Sequence, residues 1–250
     1  MFRRFPLLTF LSGARAVATF CPRLIRGKHV RSLLLATSAA PVILLAQCAS
    51  FPSIDHLSAG ELLAPKSRDL LPAGLELRPV SSKGLNVTKE SEGWVPKLYN
   101  DVANYCTIGY GHLIKKAPCN GTEPAEFRNG LTETRGATLL VGDMASAQYT
   151  VMKHVRASMT DGQFAALTDF VFNVGSANFS KSTLLKVVNE SQDDQVGVQF
   201  RRWVLADGKT WPGLVQRRER EISLYFDGRP VPRALPSREE ATPIDVRIGE

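Results

Sequence analysis

Between about residue 82 and residue 227 the apolar positions run first in short, turn-punctuated stretches and then at helical spacing. Leu85 to Glu92 predicts a short helix, stopped by Gly93, a residue type that readily takes the backbone geometry of a helix C-terminus. Trp94 to Tyr99 reads as extended, Asn100 to Asn104 as a turn, and Cys106 to Tyr110 as a second extended run, together a small hairpin. Helices are expected from Thr132 onward. Thr160-Asp161-Gly162-Gln163 has the Thr-x-x-Gln form of a capping box, and behind it Phe164, Leu167, Phe170, Val171 and Val174 recur at helical intervals. Ser182 to Asn189, Asp193 to Leu205 and Leu214 to Phe226 complete a helical bundle. The pattern predicts an α+β domain: a small β-hairpin lobe beside a larger helical lobe, with a cleft between them.

The flanks read differently. Residues 51–81 hold Pro52, Pro65, Pro72 and Pro79 without periodicity and are expected to form a linker. Residues 228–250 carry Pro230, Pro232, Pro236 and Pro243 among charges and are expected to be a flexible C-terminal tail. Residues 1–50 combine arginines with two apolar stretches, of which Ser32 to Ser50 is free of charge and follows Arg26, Lys28 and Arg31. A positive flank, an apolar core and small residues make an export signal. Three readings of it stay open. One is a cleaved signal peptide. Another is a lipoprotein signal on Leu45-Ala46-Gln47-Cys48, with Gln47 where a small residue belongs. The third is a signal anchor, in which residues 32–50 meet the inner membrane. Each directs the rest of the chain to the periplasm or cell envelope.

Charge sharpens the picture by subtraction. The net charge of +7 points at first to a nucleic acid or an anionic surface. Yet residues 1–49 hold seven Lys and Arg and no Asp or Glu; taking those seven from 31 leaves 24, equal to the 24 acidic groups. The basic character belongs to the presequence, so nucleic-acid binding is not inferred. A monomer is expected.

Two carboxylates in the predicted hairpin region stand out. Glu92 ends a helix and Asp101 sits on the following turn, so the two can face each other across a groove. Splitting a glycosidic bond needs one carboxyl kept protonated for the leaving oxygen and another kept ionised. A Glu beside Gly93 and Trp94, screened from water, suits the first role, and a solvated Asp suits the second. Most soluble chains contain many such pairs, so the pair alone decides nothing.

The surrounding residues do. Glu92-Gly93, Tyr99-Asn100-Asp101 and Thr107-Ile108-Gly109-Tyr110-Gly111-His112 resemble the signature of the phage-type lysozymes, glycoside hydrolase family 24. The resemblance continues through Gln163-Phe164-Ala165-Ala166-Leu167, Phe170-Val171-Phe172-Asn173-Val174-Gly175 and Ser182-Thr183-Leu184-Leu185. It ends with Arg202-Trp203, Pro212-Gly213-Leu214-Val215 and Arg217-Arg218-Glu219, covering roughly residues 82–227. It implies a lysozyme-like fold and a muramidase that hydrolyses the β-1,4 bond between N-acetylmuramic acid and N-acetylglucosamine in peptidoglycan, for cell lysis or wall remodelling. By position Glu92 is the general acid, Asp101 the general base or charge stabiliser, and Thr107 a holder of the attacking water. The family is inverting, which requires room for that water. Leu113, Phe172 and Ser182 fall where the family lines its sugar groove, with Asn173 and Arg202-Trp203 as weaker candidates. One departure is Asn104, in a turn position where the family has Gly; Asn tolerates a left-handed backbone better than most residues.

Other chemistry is thinly represented. His112 is expected to be a structural hydrogen-bonding residue, and His29, His56 and His154 show no zinc spacing, so no metal or cofactor is expected. Arg217 and Arg218 are expected to pair with acids on the bundle surface. Cys106 and Cys119, thirteen apart about the Gly109-Tyr110-Gly111 turn, are expected to form a disulfide in an exported protein, two free thiols being the alternative. Exchange with Cys48 would give redox control. A lytic transglycosylase needs no water-activating Asp, and a wall-binding module needs no catalytic set; Asp101 and Thr107 weigh against both.

Overall fold

A computed structural model of the chain describes residues 72, 74, 76–237 and 239–249. All belong to the second of the two units into which the chain divides, Ala49–Glu250. The expected export segment, Cys48 within it, and most of the expected linker lie outside the described residues. Among the described residues no helix is long and apolar enough to cross a membrane.

The first lobe begins with helix α1 (Ser82–Glu92), capped by the Ser81 hydroxyl, which accepts from the Gly84 amide at 3.2 Å. Gly93, at φ +73°, turns the chain out of the helix. It enters a three-stranded antiparallel sheet, β1 (Val95–Asn100), β2 (Cys106–Gly109) and β3 (His112–Lys115), in that spatial order. Pro96, which has no N–H to give, lies on the edge strand β1. The expected hairpin therefore gains a third strand. His112 to Lys115 is too short a run to announce itself by alternation, and the turn made by Gly109, Tyr110 and Gly111 folds it back onto β2.

The helical lobe follows: α2 (Ala125–Arg128), α3 (Glu133–Asp143), α4 (Ala145–His154), α5 (Asp161–Val174), α6 (Ser176–Lys181), α7 (Thr183–Asn189) and α8 (Asp193–Arg202). A short sheet comes next, β4 (Trp203–Ala206) and β5 (Lys209–Thr210), then α9 (Pro212–Phe226) and β6 (Ile244–Asp245). The capping box at Thr160 and Gln163 forms in both directions and opens α5. That helix is buried from Gln163 to Val174, as a helix apolar on most faces must be, and α1, α4, α6 and α9 pack around it. Phe170 sits at the centre, edge-on to Phe179, Phe200 and Trp203. Close approach of α1 to α5 requires Gly84, where a Cβ would lie 2.4 Å from that of Ala165. That contact sets where the C-terminal end of α1, and hence Glu92, can stand.

Three boundaries differ from expectation. The helix predicted over Asp193 to Leu205 stops at Arg202, because Trp203 turns inward and Leu205 and Ala206 pair with Thr210 and Lys209. The expected linker is anchored at its end: Arg78 donates to Asp161 at 2.7 Å and to the Met159 carbonyl at 3.1 Å, and lies over the Phe164 ring. The tail over 228–250 is not free throughout. Ile244 and Val246 are buried, β6 pairs in parallel with β4, and Asn178 donates to the Val246 carbonyl at 2.9 Å. The alternation Ile244-x-Val246 was the signal, hidden among prolines and charges.

Candidate active site

Glu92 ends α1 with its side chain buried, and the cation that meets it comes from α9: Arg217 Nη1 donates to Glu92 Oε1 at 2.7 Å. The other edge of the same guanidinium forks onto Asp169 of α5, with Nε and Nη2 donating to its two oxygens at 3.0 and 2.9 Å. Three helices are thus joined through one planar cation, which only arginine can do in this bidentate way. Glu221 stands 3.6 Å from Arg217 Nε, and its Oε1 accepts from Arg218 Nη2 at 2.8 Å. The same Arg218 nitrogen donates to Asn173 Oδ1 at 2.7 Å, while the guanidinium covers the Phe170 ring. All five charged side chains are buried.

Burial works to raise the Asp169 carboxyl, but the charge and hydrogen bonds of Arg217 outweigh it, holding the group below the usual carboxylate range. Burial likewise works against the Arg217 cation, and Asp169 and Glu92 hold it above the ordinary arginine value. For Glu221 burial prevails over Arg218, and its carboxyl is pushed well up. Arg218, lowered by burial, remains cationic at neutral pH. The sequence reading put both arginines on the bundle surface; they are interior. Their spacing from Glu221 along α9, between buried Leu214 and Ile222, was the missed signal. Asp169, amid the apolar run of α5, was also missed.

Asp101 occupies the turn between β1 and β2 and is half-buried. Its Oδ1 accepts from the amides of Ala103 and Tyr105 at 2.9 and 2.8 Å, so the carboxylate organises its own turn. Asn104 completes it at φ +62°, the left-handed conformation expected of that position. Thr107 lies on β2, buried, paired in register with Tyr99 on one side and Leu113 on the other. Its hydroxyl donates to the Tyr105 carbonyl at 3.1 Å. Leu113 is 37% exposed on β3. Tyr99 pairs with Thr107 and Asn100 with Cys106, so the Asp101 turn stands at the end of the strand pair that carries Thr107.

A disulfide joins Cys106 to Cys119. It closes the loop after β3 against β2, and Cys119 N donates to Asn100 Oδ1 at 2.8 Å, next to Asp101. Glu123 accepts from the Asn120 and Gly121 amides, and its pairing with Lys115 above all, then the Asn120 amide, lowers its carboxyl to about 2. Cys106, Cys119 and Glu123 bring sulfur and carboxylate oxygen within 4.8 Å of one another. With the sulfurs bonded to each other and Glu123 so committed, this cluster has no ligands left for a metal.

The remaining expected groove residues are scattered in role. Ser182 is the N-cap of α7; its hydroxyl accepts from Leu185 N at 3.1 Å and donates to the Phe179 carbonyl at 2.8 Å. Phe172 is buried on α5. Asn173 and Trp203 are wholly buried, Asn173 against Arg218 and Trp203 against Phe170, so neither offers a surface to a ligand here. Arg202 bonds to Gln199 and to the Thr242 carbonyl, tying α8 to the C-terminal segment. His112 Nδ1 meets Asp143 at 2.9 Å and ties β3 to α3, a structural role.

A lobe of three short strands beside a bundle centred on a buried helix is a lysozyme-like architecture. The phage lysozyme family model matches residues 89–221, and the chain belongs to that family. It is similar to an endolysin of Bacillus phage PZA, 33% identical over 175 residues, 68% of this chain and 65% of that protein. A SAR-endolysin of bacteriophage PS34 is 34% identical over 136 residues, 54% of this chain and 77% of that protein. The chain thus spans just under two thirds of the PZA relative, and 54% of a second Bacillus phage endolysin, from B103. Among solved structures, a P22 lysozyme variant superposes with a TM-score of 0.52 at 30% identity, covering 60% of this chain and 99% of that one.

Proposed function

We propose that this domain hydrolyses peptidoglycan at the β-1,4 bond between N-acetylmuramic acid and N-acetylglucosamine. Glu92 delivers a proton to the leaving oxygen. Asp101 activates water or stabilises the positive charge that grows on the sugar, and Thr107, on the adjoining strand, helps hold that water. Leu113 contributes apolar surface to the sugar groove. The observation that carries this reading is the family match across residues 89–221, which includes all three side chains in order. The burial of Glu92 supports it, since an acid must be held still and away from bulk water.

The SAR-endolysin relatives, together with the charge-free segment Ser32–Ser50, support export of the domain to the periplasm under direction of the N-terminal residues. The test is a zymogram on purified sacculi with analysis of product ends. Glu92→Gln keeps an oxygen for Arg217 and should keep fold and wall binding while lowering turnover at least about 10²-fold. Undiminished turnover in that variant would remove Glu92 from the mechanism. Anhydro ends in place of reducing ends would mark a transglycosylase instead.

A further inference from the structure

The loop between β3 and α2 carries an Asn-Gly pair, Asn120-Gly121, with both residues exposed. In such a pair the backbone nitrogen of the glycine reaches the asparagine side-chain carbon with least obstruction, because glycine has no side chain and bends freely. Around this pair the loop gathers acid–base groups. Asn120 Oδ1 accepts from three donors: Lys115 Nζ at 2.6 Å, Thr122 Oγ1 at 2.7 Å and Thr122 N at 3.2 Å. The lysine fixes which end of the carboxamide is oxygen, since an NH2 group there would meet the ammonium donor to donor. On the other side, Gly121 N donates to Glu123 Oε2 at 2.9 Å. Glu123 is itself held, its Oε1 meeting Asn120 N and Lys115 Nζ, each at 2.7 Å. Cys119, in the disulfide, anchors the loop immediately before the pair. Apart from its chain neighbours, nothing lies within 4 Å of the place a Gly121 Cβ would take, so there is room for a ring to close.

We propose that Asn120 is a self-modification site, deamidated through a succinimide with Glu123 as the base and Lys115 and Thr122 as stabilisers of the carboxamide oxygen. Gly121 N attacks Asn120 Cγ and its proton passes to Glu123 Oε2. Negative charge gathers on Oδ1, where the three donors already point. The Cγ–Nδ2 bond then breaks, and the nitrogen takes up the proton and leaves as ammonia. Water opens the ring in one of two ways. Cleaving the new N–Cγ bond gives aspartate. Cleaving the old peptide bond gives isoaspartate, in which the main chain runs through the former side chain. The other Asn-Gly pair of the chain, Asn129-Gly130, is built differently. Gly130 N donates to the Phe127 carbonyl at 3.0 Å, an acceptor too weakly basic to take a proton. Gly130 is also pressed onto β1, where a Cβ would lie 2.7 Å from the Pro96 carbonyl oxygen.

The test ages the full chain at neutral pH and follows each Asn-Gly peptide by mass spectrometry, reading the conversion of amide to acid and the isoaspartate fraction. Asn120 should convert about tenfold faster in the folded chain than in the same chain held in urea with its disulfide reduced. That gain is below the usual range for positioned acid–base groups, because the pairing with Lys115 leaves Glu123 a weak base. In the folded chain Asn129 should lag behind Asn120. Thr122→Val removes one donor to Oδ1 at nearly constant volume and should slow the folded rate at Asn120 severalfold. A folded rate at Asn120 no faster than the rate in urea would overturn the proposal, as would Asn129 keeping pace with it or the valine variant converting at the wild-type rate. If the valine variant does not fold, the wild-type comparison with urea and with Asn129 decides by itself.

Discussion

Replacing Arg217 by Met probes the bridge that joins α1, α5 and α9. Methionine approximates the aliphatic stem, so packing is largely kept and the missing part is the charge. Its loss leaves Glu92 and Asp169 buried without the cation that meets both. Breaking a buried ion pair by deleting one partner costs about 3–5 kcal/mol. At about 2–4 °C per kcal/mol for a domain of this size, thermal unfolding should shift down by about 6–20 °C at neutral pH. The sign of the pH dependence follows from Asp169. In the wild type its carboxyl lies below the usual range, so it stabilises the fold above the ordinary Asp value near about 4, and that contribution is lost as pH falls through the depressed value. In the variant, burial acts on the carboxyl without the Arg217 charge against it, and the penalty is largest at neutral pH and relieved by protonation. The gap between the two proteins should therefore narrow as pH falls below about 4. Circular-dichroism melts of both proteins at pH 7 and pH 3.5 provide the assay. A loss under about 1 kcal/mol at pH 7, or an equal loss at both pH values, would show that the bridge does not hold the helices together.

Two further outcomes are expected. Gly84→Ala sets a methyl 2.4 Å from the Ala165 Cβ and should destabilise the fold by about 1–3 kcal/mol, measured by denaturant midpoint; an unchanged midpoint would mean that α1 moves freely against α5. Changing Cys106 and Cys119 together to Ser should lower stability by up to about 3 kcal/mol and reduce turnover more than wall binding, since the loop they close abuts the Asp101 turn; equal melting with and without reductant in the wild type would argue that the bond does not form.

Several features were legible because they are local. Gly93 ends α1, the Thr160–Gln163 box starts α5, and Asn104 takes the left-handed turn position, each decided by a few neighbouring residues. Glu92, Asp101 and Thr107 were singled out by resemblance to the phage-type lysozyme signature, and the Cys106–Cys119 bond, expected of an exported chain, forms. The third strand, the inward turn at Trp203 and the docking of Ile244 and Val246 were not, because short runs carry no periodicity and acquire their state from a partner strand.

The order of residues determined which groups this protein has for chemistry and which backbone turns present them, since those depend on side chains a few positions apart. Only the tertiary structure decided what surrounds them. Arg217 lies 125 residues from Glu92, and Arg217 and Asp169 are 48 apart. No periodicity reaches over such distances. Once the helices pack, water is excluded, and charges that would be solvated on separate helices must balance one another.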